Sequence, residues 1–522
     1  MDAIFKISAV ILTACLMHQA SAQTSNMAYR NPIIHADYSD PDVIRVGTNY
    51  YMTASSFNFV PGLPILQSTD LVNWTLMGYA LEKNIPDSFF KKVQHGGGVW
   101  APSIRFINKK FVIFYPDPDH GIYKVEADNI HGPWSLPELV FAGKGLIDPC
   151  PIQTNGKHYL VYALAGSRAG LKSVLLLTEL NSQMTAVVGQ PKLLYDGHKD
   201  DPTIEGPKIY ARNGWYYIFA PAGGVKTGWQ LVLRAKNIEG PYEKQQVLQQ
   251  GNTPINGPHQ GAWVTDPNGK DWFFHFQDKN AFGRIVHLQP MQWVNDWPVM
   301  GDYANGLAGQ PVLTYGKPTV AKPSIWRDDY LNKTSINKVW QWSANPDPYW
   351  AFVYQNKLRM FAVPYPAEQK NLWQFPAWLS QKIPADRLEM TTKLHVNGLM
   401  QDEAFGVGIL GTDYARLFVT KDSAGYAIQY AICVNAEQGK SESIKFQQSF
   451  KQDSIQMRIR IQPNEQAFFG FSLDGIHFQE IETAFQMKPG KWVGARIGFF
   501  CLRRKRLNDA GSGDIDWVTI KQ

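Results

Sequence analysis

Ser39-Asp40-Pro41-Asp42-Val43-Ile44-Arg45, closed by Asn49-Tyr50-Tyr51-Met52, is the stretch on which the fold turns, because its aromatic second half returns four times before residue 280. The returns are Lys110-Phe111-Val112-Ile113, His158-Tyr159-Leu160-Val161, Trp215-Tyr216-Tyr217-Ile218 and Asp271-Trp272-Phe273-Phe274. Their anchor aromatics, Tyr50, Phe111, Tyr159, Tyr216 and Trp272, stand 61, 48, 57 and 56 residues apart. A four-stranded unit of that length cannot bury both faces alone, so the five are expected to stack around an axis as a five-bladed β-propeller.

The segments upstream of the anchors carry the chemistry. Asp40-Pro41-Asp42-Val43-Ile44, Ala101-Pro102-Ser103-Ile104, Asp148-Pro149-Cys150-Pro151-Ile152, Glu205-Gly206-Pro207-Lys208-Ile209 and His259-Gln260-Gly261-Ala262-Trp263 precede the five strands in turn. If each is the innermost strand of its blade, equivalent positions meet at the axis, and Asp40, Asp148, Glu205 and His259 share one pocket. Taken singly, an Asp before Pro is turn chemistry, since proline keeps its predecessor out of the α region and the carboxylate caps the turn. Recurrence in register with Glu205 moves the reading from architecture to function.

Three further motifs, Asp70-Leu71-Val72-Asn73-Trp74, Ile130-His131-Gly132-Pro133-Trp134 and Ile238-Glu239-Gly240-Pro241-Tyr242, read as turns that end blades. After Gly316 the phrase stops. Residues 319–326 read as a linker that follows a propeller over 23–318, and residues 327–522 as a second domain. There Leu388-Met390-Thr392-Leu394, Ala404-Gly406-Gly408-Leu410 and Gln456-Arg458-Arg460 alternate between turn residues, the pattern of a β-sandwich. No long amphipathic helix interrupts, and the class is all-β.

A chain of 522 residues exceeds one compact core. Aromatic content of 13% suits a β scaffold that also offers rings to sugar faces. The net charge of +6 is dispersed, and the one dense basic run, Arg503-Arg504-Lys505-Arg506, reads as a solvated loop, so nucleic acid is not an expected partner. Lys6, the apolar stretch Ile7 to Met17 and Ala20-Ser21-Ala22 before Gln23 form a signal peptide over residues 1–22, implying export to the periplasm or exterior of a bacterium. Leu12-Thr13-Ala14-Cys15 is the competing site and would leave a lipid anchor on Cys15. No other segment is long enough for a membrane span. Cys150, Cys433 and Cys501 are too sparse for a disulfide framework and read as buried thiols, with a Cys433–Cys501 pair as the alternative. The sequence carries no signal for oligomeric state.

Two acids across a pocket are what glycoside hydrolysis requires, one to protonate the leaving oxygen and one to act on water or on the anomeric carbon. Asn31-Pro32-Ile33-Ile34, Ser39 to Arg45, Trp100-Ala101-Pro102-Ser103, Ile147-Asp148-Pro149, Ile204-Glu205-Gly206-Pro207-Lys208 and Gly283-Arg284-Ile285-Val286-His287-Leu288 together resemble glycoside hydrolase family 43 over residues 31–315. Residues 325–522, with Trp340-Gln341-Trp342 early and Gly513-Asp514-Ile515-Asp516-Trp517 late, are similar to the concanavalin-like jelly-roll sandwich appended to β-xylosidases of that family.

The resemblance implies an inverting mechanism with Asp40 as general base and Glu205 as general acid. Inversion leaves room for a water, about 6.5–9.5 Å between the two carboxyls. Asp148 would raise the pKa of Glu205 and orient it. Arg284 would grip glycone hydroxyls, and Trp100 and Phe57 are candidate walls against the sugar face. In relatives the counterpart of His259 faces an axial ion through water, so a structural calcium there is expected, while the chemistry requires no cofactor. The implied substrate is a plant cell-wall oligosaccharide or polysaccharide, with release of a terminal pentose. Ser55-Ser56-Phe57-Asn58-Phe59-Val60-Pro61-Gly62 resembles the β-xylosidase branch and favours β-D-xylose from xylo-oligosaccharides or xylan. An α-L-arabinofuranosidase or dual-activity enzyme is the alternative, and a carbohydrate-binding propeller without activity is the non-enzymatic one.

Overall fold

The computed structural model describes residues 27–303, 306, 308–318, 324–365, 368–505 and 508–522. The signal-peptide and Cys15 expectations, and residues 319–323 of the linker, lie outside them.

Five antiparallel four-stranded sheets follow one another along residues 42–300, each built from consecutive strands. Blade one comprises Asp42–Val46, Asn49–Thr53, Gly62–Ser68 and Thr75–Leu81; blade five comprises His259–Thr265, Asp271–Asp278, Arg284–Val294 and Trp297–Met300. Every anchor aromatic lies in the second strand of its blade, where the side chains alternate between two interfaces. In blade two, Phe111, Ile113 and Tyr115 pack toward blade one, while Val112 and Phe114 pack toward blade three. Burial on both faces explains why these strands read as continuous apolar runs. The ring is closed by the N-terminal segment: Tyr29–Arg30 pairs with Thr314–Tyr315, and Asn31 bonds Leu288 and Val312 through its side chain.

The three Gly/Pro/Asp motifs join the third strand of a blade to its fourth and do not end blades. The Asp70 turn, for example, lies between Gly62–Ser68 and Thr75–Leu81, its carboxylate accepting from the amides of Val72 and Asn73. Most positions of the outermost strands in blades one to three are half-buried or exposed, so burial imposes no regular alternation on them.

Residues 325–522 form two facing antiparallel sheets, with one parallel pair between Val363–Pro364 and Leu502–Arg503. Alternation is plain in Leu388–His395, whose even positions point inward and pair with the inward Ile455, Met457, Ile459 and Ile461 strand. Ile325 and Trp326, expected in the linker, already belong to a sandwich strand, Ile325–Asp329, paired with the C-terminal strand. Arg503 and Arg504 are not freely solvated either: Arg503 bonds the Ala362 carbonyl and Arg504 lies over Tyr365. Cys150, Cys433 and Cys501 are free and buried. No helix among the described residues is long and apolar enough to cross a membrane.

The two domains share one apolar core. Val60, Ala281 and Phe282 of the propeller join the sandwich cluster around Trp340, Trp342 and Trp378. Val60 and Trp342 exchange backbone hydrogen bonds of 3.0 and 2.7 Å, and Asn345 bonds the Asn84 backbone in both directions. Asp37, buried in the propeller, accepts from the Arg284 amide through Oδ1 and from the Gly494 amide of the sandwich through Oδ2, both at 2.9 Å.

Candidate active site

Each expected acid stands at the start of an innermost strand. Asp40 precedes Asp42–Val46, Asp148 lies within Leu146–Thr154, Glu205 precedes Lys208–Arg212, and His259 opens His259–Thr265. Local backbone geometry turns the side chains inward. Asp40 and Asp148 are both left-handed, with φ of 56° and 57°, and a bulge displaces the register between Ile147 and Cys150. Non-glycine residues held in that region are uncommon and gather at functional sites, and a bulge re-aims the side chain it carries. A second bulge between His259 and Gly261 places Gln260, with φ of 35°, at the same mouth.

The result is a cavity of about 300 Å³ lined by Asp40, Asp148 and Glu205 together with Phe57, Trp100, Gln260, Arg284 and Trp492. Asp40 Oδ2 accepts from Ser55 Oγ at 2.5 Å, and Oδ1 lies 3.4 Å from Arg284 Nη1, which also donates to Ser39 Oγ at 2.8 Å. These donors fix the carboxylate while Arg284 supplies a permanent positive charge. Asp148 Oδ2 accepts from the Gly206 amide at 2.7 Å, which ties it to the residue after Glu205.

Burial, reinforced by the charges of Glu205 and Asp40, raises the Asp148 carboxyl well above the usual carboxylate range. The Asp148 side chain is buried at the floor of the cavity, which is why desolvation leads that shift. The sign for stability follows: an acid whose folded pKa is raised destabilises the fold increasingly as pH climbs above its unfolded value near 3.9. Asp148→Asn is therefore expected to raise Tm at pH 7, with the advantage shrinking as pH falls toward 4. Calorimetry across that range checks it, and an Asn variant less stable at pH 7 than at pH 4 relative to wild type would contradict it.

His259 does not line the cavity. It is fully buried behind Glu205, with Nε2 3.0 Å from Glu205 Oε1 and Nδ1 without a hydrogen-bond partner. A calcium ion takes six to eight oxygen ligands. His259 offers one nitrogen, and no group of three or more His, Cys, Asp or Glu suited to a metal occurs among the described residues, so these side chains do not fit a protein-built calcium site.

Phe57 and Trp100 take the expected place along the wall, 6.3 Å apart between ring centroids. Phe57 is held by a two-way backbone bridge to Val99, and Gly98 permits the approach, since a Cβ there would meet the Phe57 carbonyl at 2.4 Å. The wall is completed by a residue the sequence reading missed. Trp492, on the sandwich loop Pro489-Gly490-Lys491-Trp492-Val493-Gly494, stands edge-on to Trp100 at 6.2 Å and 5.9 Å from the Arg284 guanidinium carbon. It is left-handed, with φ of 65°, and 53% exposed. Its only signal in the sequence is an aromatic ring set among Gly and Pro in a domain otherwise read as structural.

A five-bladed propeller with three carboxyls and an arginine in a small aromatic-walled mouth defines a class: enzymes that cleave glycosidic bonds. Comparison with known proteins makes the assignment specific. The profile of glycosyl hydrolases family 43 matches residues 29–298, and that of the β-xylosidase C-terminal concanavalin A-like domain matches residues 327–521. The chain belongs to glycosyl hydrolase family 43. It is 36% identical over 493 residues to a putative β-xylosidase of Xylanibacter ruminicola, covering 92% of this chain and 88% of that protein. It is 26% identical to a non-reducing-end α-L-arabinofuranosidase of Bacteroides ovatus over 76% of each. The crystal structure of a xylan β-1,4-xylosidase from Bacillus halodurans superposes with a TM-score of 0.81 at 22% identity, over 94% of this chain and all of that one.

Proposed function

We propose that this protein is an exported, exo-acting, inverting β-xylosidase that removes terminal β-D-xylose from xylo-oligosaccharides or xylan. The observation that carries the reading is the convergence of Asp40, Asp148 and Glu205 on a cavity of about 300 Å³, at the small end for ligand pockets, walled by Phe57, Trp100 and Trp492. Such a space suits one sugar ring and a water, not a length of polymer.

In the proposed reaction Asp40 accepts a proton from water as the water oxygen bonds to the anomeric carbon. Glu205 gives a proton to the departing glycosidic oxygen as the carbon–oxygen bond on the opposite face breaks. Arg284 keeps Asp40 in place and faces the glycone hydroxyls. Asp148, raised by burial and by the charges of Glu205 and Asp40, lessens the negative charge gathered in the pocket, and its link to the Gly206 amide steadies the Glu205 backbone. His259 fixes the far side of the Glu205 carboxyl. No metal or cofactor enters these steps.

Proton NMR of xylotetraose digestion is expected to show α-xylose as the first-formed anomer, with xylose and xylotriose appearing in equal amounts as the early products. First-formed β-xylose would exclude Asp40 acting on water. Early xylobiose formed without a matching amount of xylose would exclude exo action.

The relatives named as arabinofuranosidases favour a second activity on terminal α-L-arabinofuranose, whose hydroxyls near the reacting carbon are arranged much as in β-D-xylopyranose. The ratio of kcat/KM on nitrophenyl xyloside and arabinofuranoside decides which dominates.

A further inference from the structure

A second cavity, of about 410 Å³, adjoins the catalytic one where the two domains meet. Arg284 and Trp492 line both, and the blade-four loop passes from one to the other between Val225 and Lys226. The remaining lining comes from Asp278, Asn280 and Gly283 of the propeller and Pro489 to Val493 of the sandwich. Trp492 thus stands as a partition, and its 53% exposure leaves ring surface open to a ligand.

The charges around this cavity are unequal. Lys226, Arg284 and Lys491 face one carboxylate, Asp278, which already accepts from the Asn280 amide in its own turn. Arg284 is committed to Asp40 and Ser39. Among the described residues Lys226 has no ion-pair partner, and Lys491 has only Glu437, at 3.7 Å, with half its side chain exposed. Two lysines, one from each domain, therefore flank an aromatic platform next to the catalytic cavity. A neutral sugar chain gains nothing from that pair of charges, whereas a sugar carrying a carboxylate does.

We propose that this cavity is an accessory subsite for a uronic acid substituent on the part of the substrate beyond the cleaved bond, the sugar ring lying on Trp492 and its carboxylate between Lys226 and Lys491. The inference rests on the glycosidase reading above and adds a preference for acidic substrates to it.

The test compares kcat/KM on xylo-oligosaccharides with and without a glucuronosyl branch near the non-reducing end, for wild type and for the Lys226→Gln/Lys491→Gln double variant, at 20 and 300 mM salt. The acidic-to-neutral ratio is expected to exceed one in wild type, to fall about tenfold in the double variant, and to fall with salt in wild type alone. A wild-type ratio at or below one, or one that the double variant leaves unchanged, overturns the subsite. Failure to cleave the neutral oligosaccharide at all would instead overturn the xylosidase reading, so the two failures are distinguishable.

Discussion

Asp40→Asn is expected to abolish nearly all turnover, lowering kcat by about 10²–10⁴-fold, the range a general base contributes. Asparagine is nearly isosteric, tolerates the left-handed backbone at position 40, and can still accept from either Ser55 or Arg284 through its single amide oxygen. What it cannot do is take a proton from water. The loss should be equal for substrates with good and poor leaving groups, because water attack is impaired in both. Release of nitrophenol and of xylose, measured beside circular dichroism and Tm to establish folding, checks this. Activity within tenfold of wild type in a well-folded variant would remove Asp40 from the reaction.

Glu205→Gln has a different signature. Its effect should depend on how much the departing oxygen needs a proton: a fall of about 10²–10⁴-fold in kcat/KM on xylobiose, and a far smaller one on a dinitrophenyl xyloside whose leaving group departs unassisted. Glutamine can keep the contact with His259, so the wall behind position 205 should stay in place. Equal losses on both substrates would point to a positioning role in place of acid catalysis.

Much of this site could be read from the chain because propeller symmetry converts sequence register into spatial coincidence. Asp40, Asp148 and Glu205 hold equivalent places in three blades, so the aromatic period alone predicts that they converge. Phe57 and Arg284 came only through family resemblance, since their neighbours in sequence carry no chemical pattern. Trp492 could not be placed from sequence: it arrives from a loop more than 170 residues beyond the propeller, and only the packing of two domains brings it to the mouth. The enclosure of Asp148 was not legible either, because sequence shows which acids are near one another and not which of them is buried. The fourth strands of blades one to three carry no regular alternation, since most of their positions lie half-buried or exposed at the rim.

Asp37 gives the assembly an order of failure. One buried carboxylate grips the amide of Arg284 on one side and that of Gly494, two residues from Trp492, on the other. Anything that loosens the sandwich from the propeller releases the aromatic partition and the arginine segment together, while the blades themselves stay folded. On gentle heating or in dilute urea, catalysis should thus disappear while the β-sheet signal is still intact, and return on cooling: inactivation by undocking, well before denaturation.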